Sequence, residues 1–189
     1  MSGWQGYYHR VGEKPNAAVA EVLKYYEGPR REAFDLGAGN LRDCKFLLEQ
    51  GFRTVLAVDQ NPETRNYAVP GIEVAIAPIQ DYQLGYEHFD FGVCHNTFFF
   101  FTTYGIELML QKALNALRVG GVFGCNMLGE RDEWALTRDS EVDFLRPRHV
   151  QKLQDDFRPL YFEEAEWDAP TTSGIPKHWH CWNLVIQRR

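Results

Sequence analysis

The chain has 189 residues, 44% of them hydrophobic, and its 26 acids against 20 bases leave a formal charge of -6. That length fits one domain with a sizeable core, and an acidic balance without a basic stripe argues against a nucleic-acid surface. No apolar tract approaches the ~18 residues of a membrane span. The first ten residues also lack the apolar stretch of a signal peptide, so a cytoplasmic protein with a small-molecule partner is expected. Four separated cysteines, Cys44, Cys94, Cys125 and Cys181, form no CxxC pair and read as reduced core residues.

Residues 1–12 are aromatic and polar without periodicity. From Asn16 the apolar positions Ala18, Val19, Val22 and Leu23 recur at helical spacing until Gly28-Pro29 stops them. Residues 31–36 predict a first strand. A helix over 41–50 follows, burying Leu41, Cys44, Leu47 and Leu48 and ending at Gly51. Residues 54–58 are nearly all apolar, as in a strand covered on both faces. Pro62 opens a short helix, 71–75 predict a third strand and 89–94 a fourth. A helix over 104–117 buries Ile106, Leu110, Ala113, Leu114 and Leu117. The turn Arg118-Val-Gly120-Gly121 then feeds a fifth strand over 122–127.

Five alternations of strand and helix argue a parallel, doubly wound α/β sheet. Beyond it, 128–143 reads as charged loop or irregular helix, and Arg146-Pro147 opens a helix to about residue 156. Strands over 160–167 and 178–188 are joined by the Pro/Gly-rich stretch 170–176. That joint leaves no room for a crossover helix, so these two pair antiparallel. No repeat or linker divides the chain, and nothing marks an oligomer interface.

The chemistry concentrates in Glu32-Ala-Phe-Asp35-Leu-Gly37-Ala-Gly39-Asn40 and in Asp59, which ends the second apolar run. A strand entering two glycines brings backbone close to a ligand, and an acid at the next strand end is placed to grip both ribose hydroxyls. The third glycine of a dinucleotide fingerprint is missing, and no GxxxxGK[ST] loop occurs. The spacing therefore favours an adenosine with an amino-acid tail over a pyrophosphate, and a nicotinamide-dependent oxidoreductase also lacks its Tyr-x-x-x-Lys set.

With Asp35-Leu-Gly37-Ala-Gly39, Asp59, Phe89-Asp90-Phe91 and Leu117-Arg-Val-Gly120-Gly121 in this order, the chain resembles the class I S-adenosylmethionine-dependent methyltransferases. Length, a short N-terminal segment and a C-terminal hairpin are most similar to the small TehB-like (tellurite-resistance) and thiopurine-type enzymes. The resemblance implies a Rossmann-like, doubly wound seven-stranded sheet, mostly parallel with an antiparallel C-terminal hairpin strand. It implies one domain: 1–14 as a lid arm, 15–127 as the core binding S-adenosyl-L-methionine, and 128–189 as acceptor-side elements. Cofactor contacts are expected from Tyr8, Arg10 and Lys14 of the arm, from Asp35, Gly37, Ala38 and Gly39, and from Asp59 and Gln60. Further contacts are expected from Ile79, Gln80, Cys94 and His95. Pro78 stands where many relatives place an acid, so the adenine amine falls to Gln80, Asp81 or backbone carbonyls.

The acceptor side is expected from Phe98 to Phe101, from Asn126, Glu130, Arg131 and Trp134, and from the last strand. Alternation there sets His178, His180 and Trp182 on one face and Trp179, Cys181 and Asn183 on the other. His178 and His180 have a spacing that fits a metal, but no further ligand clusters with them and no metal is expected. Relatives of the TehB type carry a histidine in the earlier hairpin strand, where this chain has Trp167 or a neighbour. Displacement at a sulfonium needs alignment and exclusion of water more than acid catalysis. His95, His178 and His180 are the candidates if the acceptor requires a base, with His95 equally readable as a hydrogen-bonding pocket residue. The other reading is a catalytically inactive cofactor-binding protein acting through partner contacts.

Overall fold

The structure is a computed structural model and describes residues 3–137 and 144–189. Strands β1 (Glu32–Leu36), β2 (Thr54–Asp59), β3 (Ile72–Ile76), β4 (Phe89–Cys94), β5 (Leu117–Leu128), β6 (Tyr161–Asp168) and β7 (His178–Gln187) form one sheet. Its order is β3-β2-β1-β4-β5-β7-β6. β1 to β5 run parallel, and β7 inserts antiparallel between β5 and β6. The doubly wound reading and the antiparallel hairpin both hold.

Helices α2 (Ala17–Leu23) and α3 (Arg42–Glu49) cover one face, and α4 (Thr103–Ala116) and α6 (Pro147–Phe157) the other. Strand alternation sorts the core between them: Phe34 and Leu36 of β1 join the α4 side, and Ala33 joins the α2 and α3 side. Phe34 is wholly buried between Phe89 and Phe123, with ring centroids 5.0 and 5.7 Å away. Burying such a ring contributes ~1.5–3 kcal/mol. Gly92 makes room for it, since a Cβ there would stand 2.2 Å from the Phe34 ring.

Asp90, 1% exposed, accepts from the backbone N–H of Arg31 (2.9 Å) and Glu32 (3.2 Å) and from the guanidiniums of Arg31 (2.7 Å) and Arg118 (3.1 Å). Burial works to raise its pKa, but the guanidiniums and backbone donors outweigh it and hold the carboxyl below its ordinary value. Asp90 lies at the start of β4, away from the carboxyl ends where ligands bind. Its place in the motif is structural.

Two expectations change. The N-terminal segment is a helix, α1 (Gly3–Val11), although its sequence shows no periodicity. Its stability comes from packing: Tyr8 is 4% exposed, and Asn40 Nδ2 donates to the carbonyl of Gly12 at 2.7 Å. The turn expected at 118–121 belongs to β5, whose register with β4 shifts between Phe89 and Phe91. Gly120 there has φ +84°, which keeps the irregularity at low strain. A short helix α5 (Glu133–Thr137) follows β5; the rest of the irregular stretch, 138–143, lies outside the described residues.

Candidate active site

β1 ends in the glycine loop, which closes on β2: the N–H groups of Gly37 and Ala38 donate to the Val58 carbonyl at 2.8 and 3.3 Å. Gly37 has φ +80°, and a Cβ on it would meet Thr97 Oγ1 at 2.0 Å. No other residue fits. Asp59 then locks the loop: Oδ2 accepts from the Gly39 N–H and Oδ1 from the Asn61 N–H, both at 2.8 Å. A carboxylate offers about four acceptor sites, so both oxygens retain capacity toward the cavity beside them. Lys112 of α4 holds the loop after β3 by donating to the carbonyls of Ile79 (3.3 Å) and Gln80 (3.0 Å).

The far side of the loop is more strained. Leu41, fully buried, sits at φ +63° just before α3, a left-handed geometry that costs about 1 kcal/mol or more outside glycine. It aims Arg42 of the first helical turn into the cavity, where its guanidinium also donates to the Val11 carbonyl at 3.3 Å. Beyond β4, Asn96 has φ +58° and exchanges two hydrogen bonds with Asn126 at the end of β5, 2.7 and 2.9 Å. This pair clamps the carboxyl ends of the two central strands.

Between these elements lies His95. The residue is partly covered, yet both ring nitrogens are buried without a hydrogen-bond partner. Burial first, then the Arg42 charge, lowers its pKa from 6.5 to about 4. It is neutral at neutral pH and offers an unsatisfied acceptor to whatever fills the cavity.

One cavity of about 1370 Å³ runs from Asp59 past His95 to the hairpin. That exceeds the ~300–1,000 Å³ usual for a single small ligand, leaving room for a cofactor and an acceptor together. The far end is walled by Phe99, Phe100, Phe101, Trp134, Trp167 and Trp179. Register explains the tryptophans: Trp167 of β6 faces Trp179 of β7, with rings stacked at 6.1 Å and 11°. Trp134 of α5 meets Trp179 at 5.6 Å.

Of the expected cofactor residues, Tyr8, Gly37, Ala38, Gly39, Asp59, Gln60, Ile79, Gln80 and His95 line this cavity. Four do not. Arg10 and Lys14 are exposed on the arm, whereas Arg42 lines the cavity. Asp35 is 3% exposed behind the loop with the Cys44 thiol 3.4 Å away. Burial and the neighbouring Asp43 carboxylate push its pKa well up. Cys94 is wholly buried in the core, and burial pushes its thiol well up.

The hairpin histidines face away from the cavity. Trp179 and Cys181 line the cavity, so alternation turns His178 and His180 away from it. His178 pairs with Asp168 (2.9 Å) and Glu166 (3.3 Å). Its hydrogen bond to Asp168 is the main cause of a raised pKa. His180 is 1% exposed; its Nδ1 accepts from the Arg131 N–H at 2.9 Å, and its Nε2 faces Glu164 Oε1 at 2.9 Å. Accepting at Nδ1 leaves the proton of the neutral ring on Nε2. Glu164, Glu166 and His180 could reach a common ion, but a protonated Nε2 is no metal ligand and Arg131 already bridges both glutamates. Arg131 and Glu130 are likewise absent from the cavity wall, and Phe98 is core. The sequence reading missed Arg42, Thr97 and Asn61. Position three after Gly39, inside the first helical turn, was the available signal for Arg42.

Residues 34–125 match the family profile described as Methyltransferase domain. Among solved structures, TehB from Haemophilus influenzae superposes with a TM-score of 0.73 at 15% identity, covering 92% of this chain and 62% of that one. The N-methyltransferase NodS from Bradyrhizobium japonicum WM9, in complex with S-adenosyl-L-homocysteine, gives 0.67 at 13% identity, covering 95% and 90%. The Burkholderia thailandensis 1,6-didemethyltoxoflavin-N1-methyltransferase, with bound 1,6-didemethyltoxoflavin and S-adenosylhomocysteine, gives 0.62 at 19% identity, covering 92% and 77%. No curated protein matches the chain by sequence. The fold is that of the class I methyltransferases. The profile match takes in just under half of the chain, from β1 to β5.

The residues fit the cofactor this fold family implies, S-adenosylmethionine. Gly37 and Gly39 leave a cradle against backbone, Asp59 has acceptor capacity at the cavity, and the orphaned His95 ring offers one donor and one acceptor to a ligand.

Proposed function

We propose that this protein transfers the methyl group of S-adenosylmethionine to a small-molecule acceptor held against the aromatic end of the cavity. The continuity of one cavity from Asp59 to Trp179 carries the reading. Asp59 and Gln60 would hold the ribose and adenine edge, Ile79 the purine face, and the glycine loop with Arg42 and His95 the amino-acid tail. When bound, the cofactor supplies a methyl group on a sulfonium whose leaving group is a neutral thioether.

The protein's own part is alignment. The Asn96–Asn126 clamp fixes the floor between the two ends, and the rings exclude water. His95 serves as a neutral hydrogen-bond acceptor. A ring titrating at about 4 is a poor general base near neutral pH. His178 and His180 act on the fold instead. An acceptor already carrying its electron pair, such as a thiolate or phenolate, needs nothing more.

In this reading residues 1–14 form the lid arm, 15–127 the cofactor core and 128–189 the acceptor side. No helix among the described residues is long and apolar enough to cross a membrane, and the charge of -6 disfavours a nucleic-acid acceptor. The test is release of S-adenosylhomocysteine from a panel of thiols, phenols, amines and chalcogen oxyanions. Turnover with at least one class is expected. Cofactor binding with no turnover across the panel would favour the inactive, partner-directed alternative.

A further inference from the structure

The aromatic end contains a cation of its own. Lys177, 4% exposed, places its ammonium 3.7 Å from the ring centroid of Trp179 and 4.5 Å from that of Trp134. Its three donor directions are engaged: both oxygens of Asp132 at 2.5 Å, and the carbonyl of His178 at 3.2 Å. Asp132 is wholly buried and also accepts from the N–H of Trp134 (3.0 Å) and of His180 (3.2 Å). The ion pair therefore belongs to the fold. It fixes α5 against β7 and sets the two indole rings, with nothing left to bind a substrate charge.

Two consequences follow for the acceptor. A pocket of tryptophan faces is ordinarily well suited to a quaternary ammonium, but here an internal ammonium already takes the cation place on Trp179 and Trp134. The Trp167 and Phe100 rings are 43% and 51% exposed at the mouth. The Trp167 and Trp179 planes lie within 11° of each other. Such surfaces are covered best by another flat ring in offset or edge contact.

We propose that the acceptor is a planar aromatic compound without positive charge, seated on Trp134, Trp167 and Trp179. This deepens the methyl-transfer reading and rests on it. Lys177 is a specificity element in this arrangement: it pre-fills the cation position of the aromatic pocket and so turns an amine-type cage into an arene site.

The test is calorimetry on the full chain saturated with S-adenosylhomocysteine, using three probes of one skeleton: naphthol, its non-planar decahydro analogue, and naphthyl trimethylammonium. Naphthol is expected to bind at least about tenfold more tightly than either of the others. Trp167→Ala, at an edge-strand position, is expected to weaken naphthol about tenfold or more while S-adenosylhomocysteine affinity stays within about twofold, which also reports that the variant is folded. Equal or tighter binding of the decahydro or trimethylammonium probe would overturn the inference, as would unchanged naphthol affinity in Trp167→Ala. S-adenosylhomocysteine binding without naphthol binding overturns this inference alone. Absence of S-adenosylhomocysteine binding overturns the methyl-transfer reading and this inference with it.

Discussion

The two ends of the cavity are built by different means. The proposed cofactor end is made of backbone and short polar groups at the carboxyl ends of β1, β2 and β4, fixed by hydrogen bonds such as Gly39 N–H to Asp59. The proposed acceptor end is made of large rings from α5, β6 and β7 and from the run after β4, fixed by cross-strand register and the buried Lys177–Asp132 pair. The first kind of site needs particular residues at particular spacings. The second needs only apolar bulk on the correct face. Loss of a polar group should therefore be felt sharply at one end, and side-chain changes should act through packing at the other.

The largest effect expected concerns His95. Its folded pKa, about 4, lies below the ordinary 6.5, so the unfolded chain binds more protons between those values. Stability then falls as pH drops from 6.5 toward 4, by about 3 kcal/mol for such a shift. His95→Gln should remove that part of the acid limb, seen in denaturant titrations at pH 7 and pH 4. Identical pH dependence in both proteins would mean that the ring is not held neutral.

Asp59→Ala should weaken cofactor binding by about 1.5–3 kcal/mol through two charge-assisted bonds. Affinity for an aromatic probe at the other end should stay unchanged. Equal losses at both ends would dissolve the distinction between them. A smaller effect, on stability alone, is expected from His180→Gln. It leaves the Arg131 N–H short of its acceptor, a loss of about 1–3 kcal/mol in urea unfolding. Turnover with either His180→Gln or His178→Gln should stay near wild type, and a drop of ~10²-fold would return those histidines to the mechanism.

Smallest is the response of the arm. Tyr8 already packs over Gly39, where a Cβ would stand 3.1 Å from its ring, and its hydroxyl accepts from Asn61 Nδ2 at 3.2 Å. Cofactor should slow proteolysis within α1 by a further few-fold, since closed lids protect occupied sites. Equal cleavage rates would mark a permanently packed arm.

The same contrast explains what could be read from the sequence. The glycine loop, Asp59 and the alternating elements are local patterns, and each lands where its spacing places it. Asp35 belongs to the same motif but is turned into the core, because strand alternation faces it toward α3 and the Cys44 thiol. The hairpin faces were assigned correctly as two sets, His178 with His180 and Trp179 with Cys181. Which set met the cavity depended on how β7 inserts between β5 and β6, a pairing distant in sequence. Helix α1 was invisible for a similar reason: Asn40 and Arg42, some thirty residues away, hold it.

The most direct measurement is a calorimetric titration of the wild-type chain with S-adenosylmethionine and with S-adenosylhomocysteine. Saturable binding of both at one site is expected at micromolar strength, about 8 kcal/mol. No saturable heat with either up to roughly millimolar, about 4 kcal/mol, would contradict the assignment of the glycine loop, Asp59 and His95 to this cofactor.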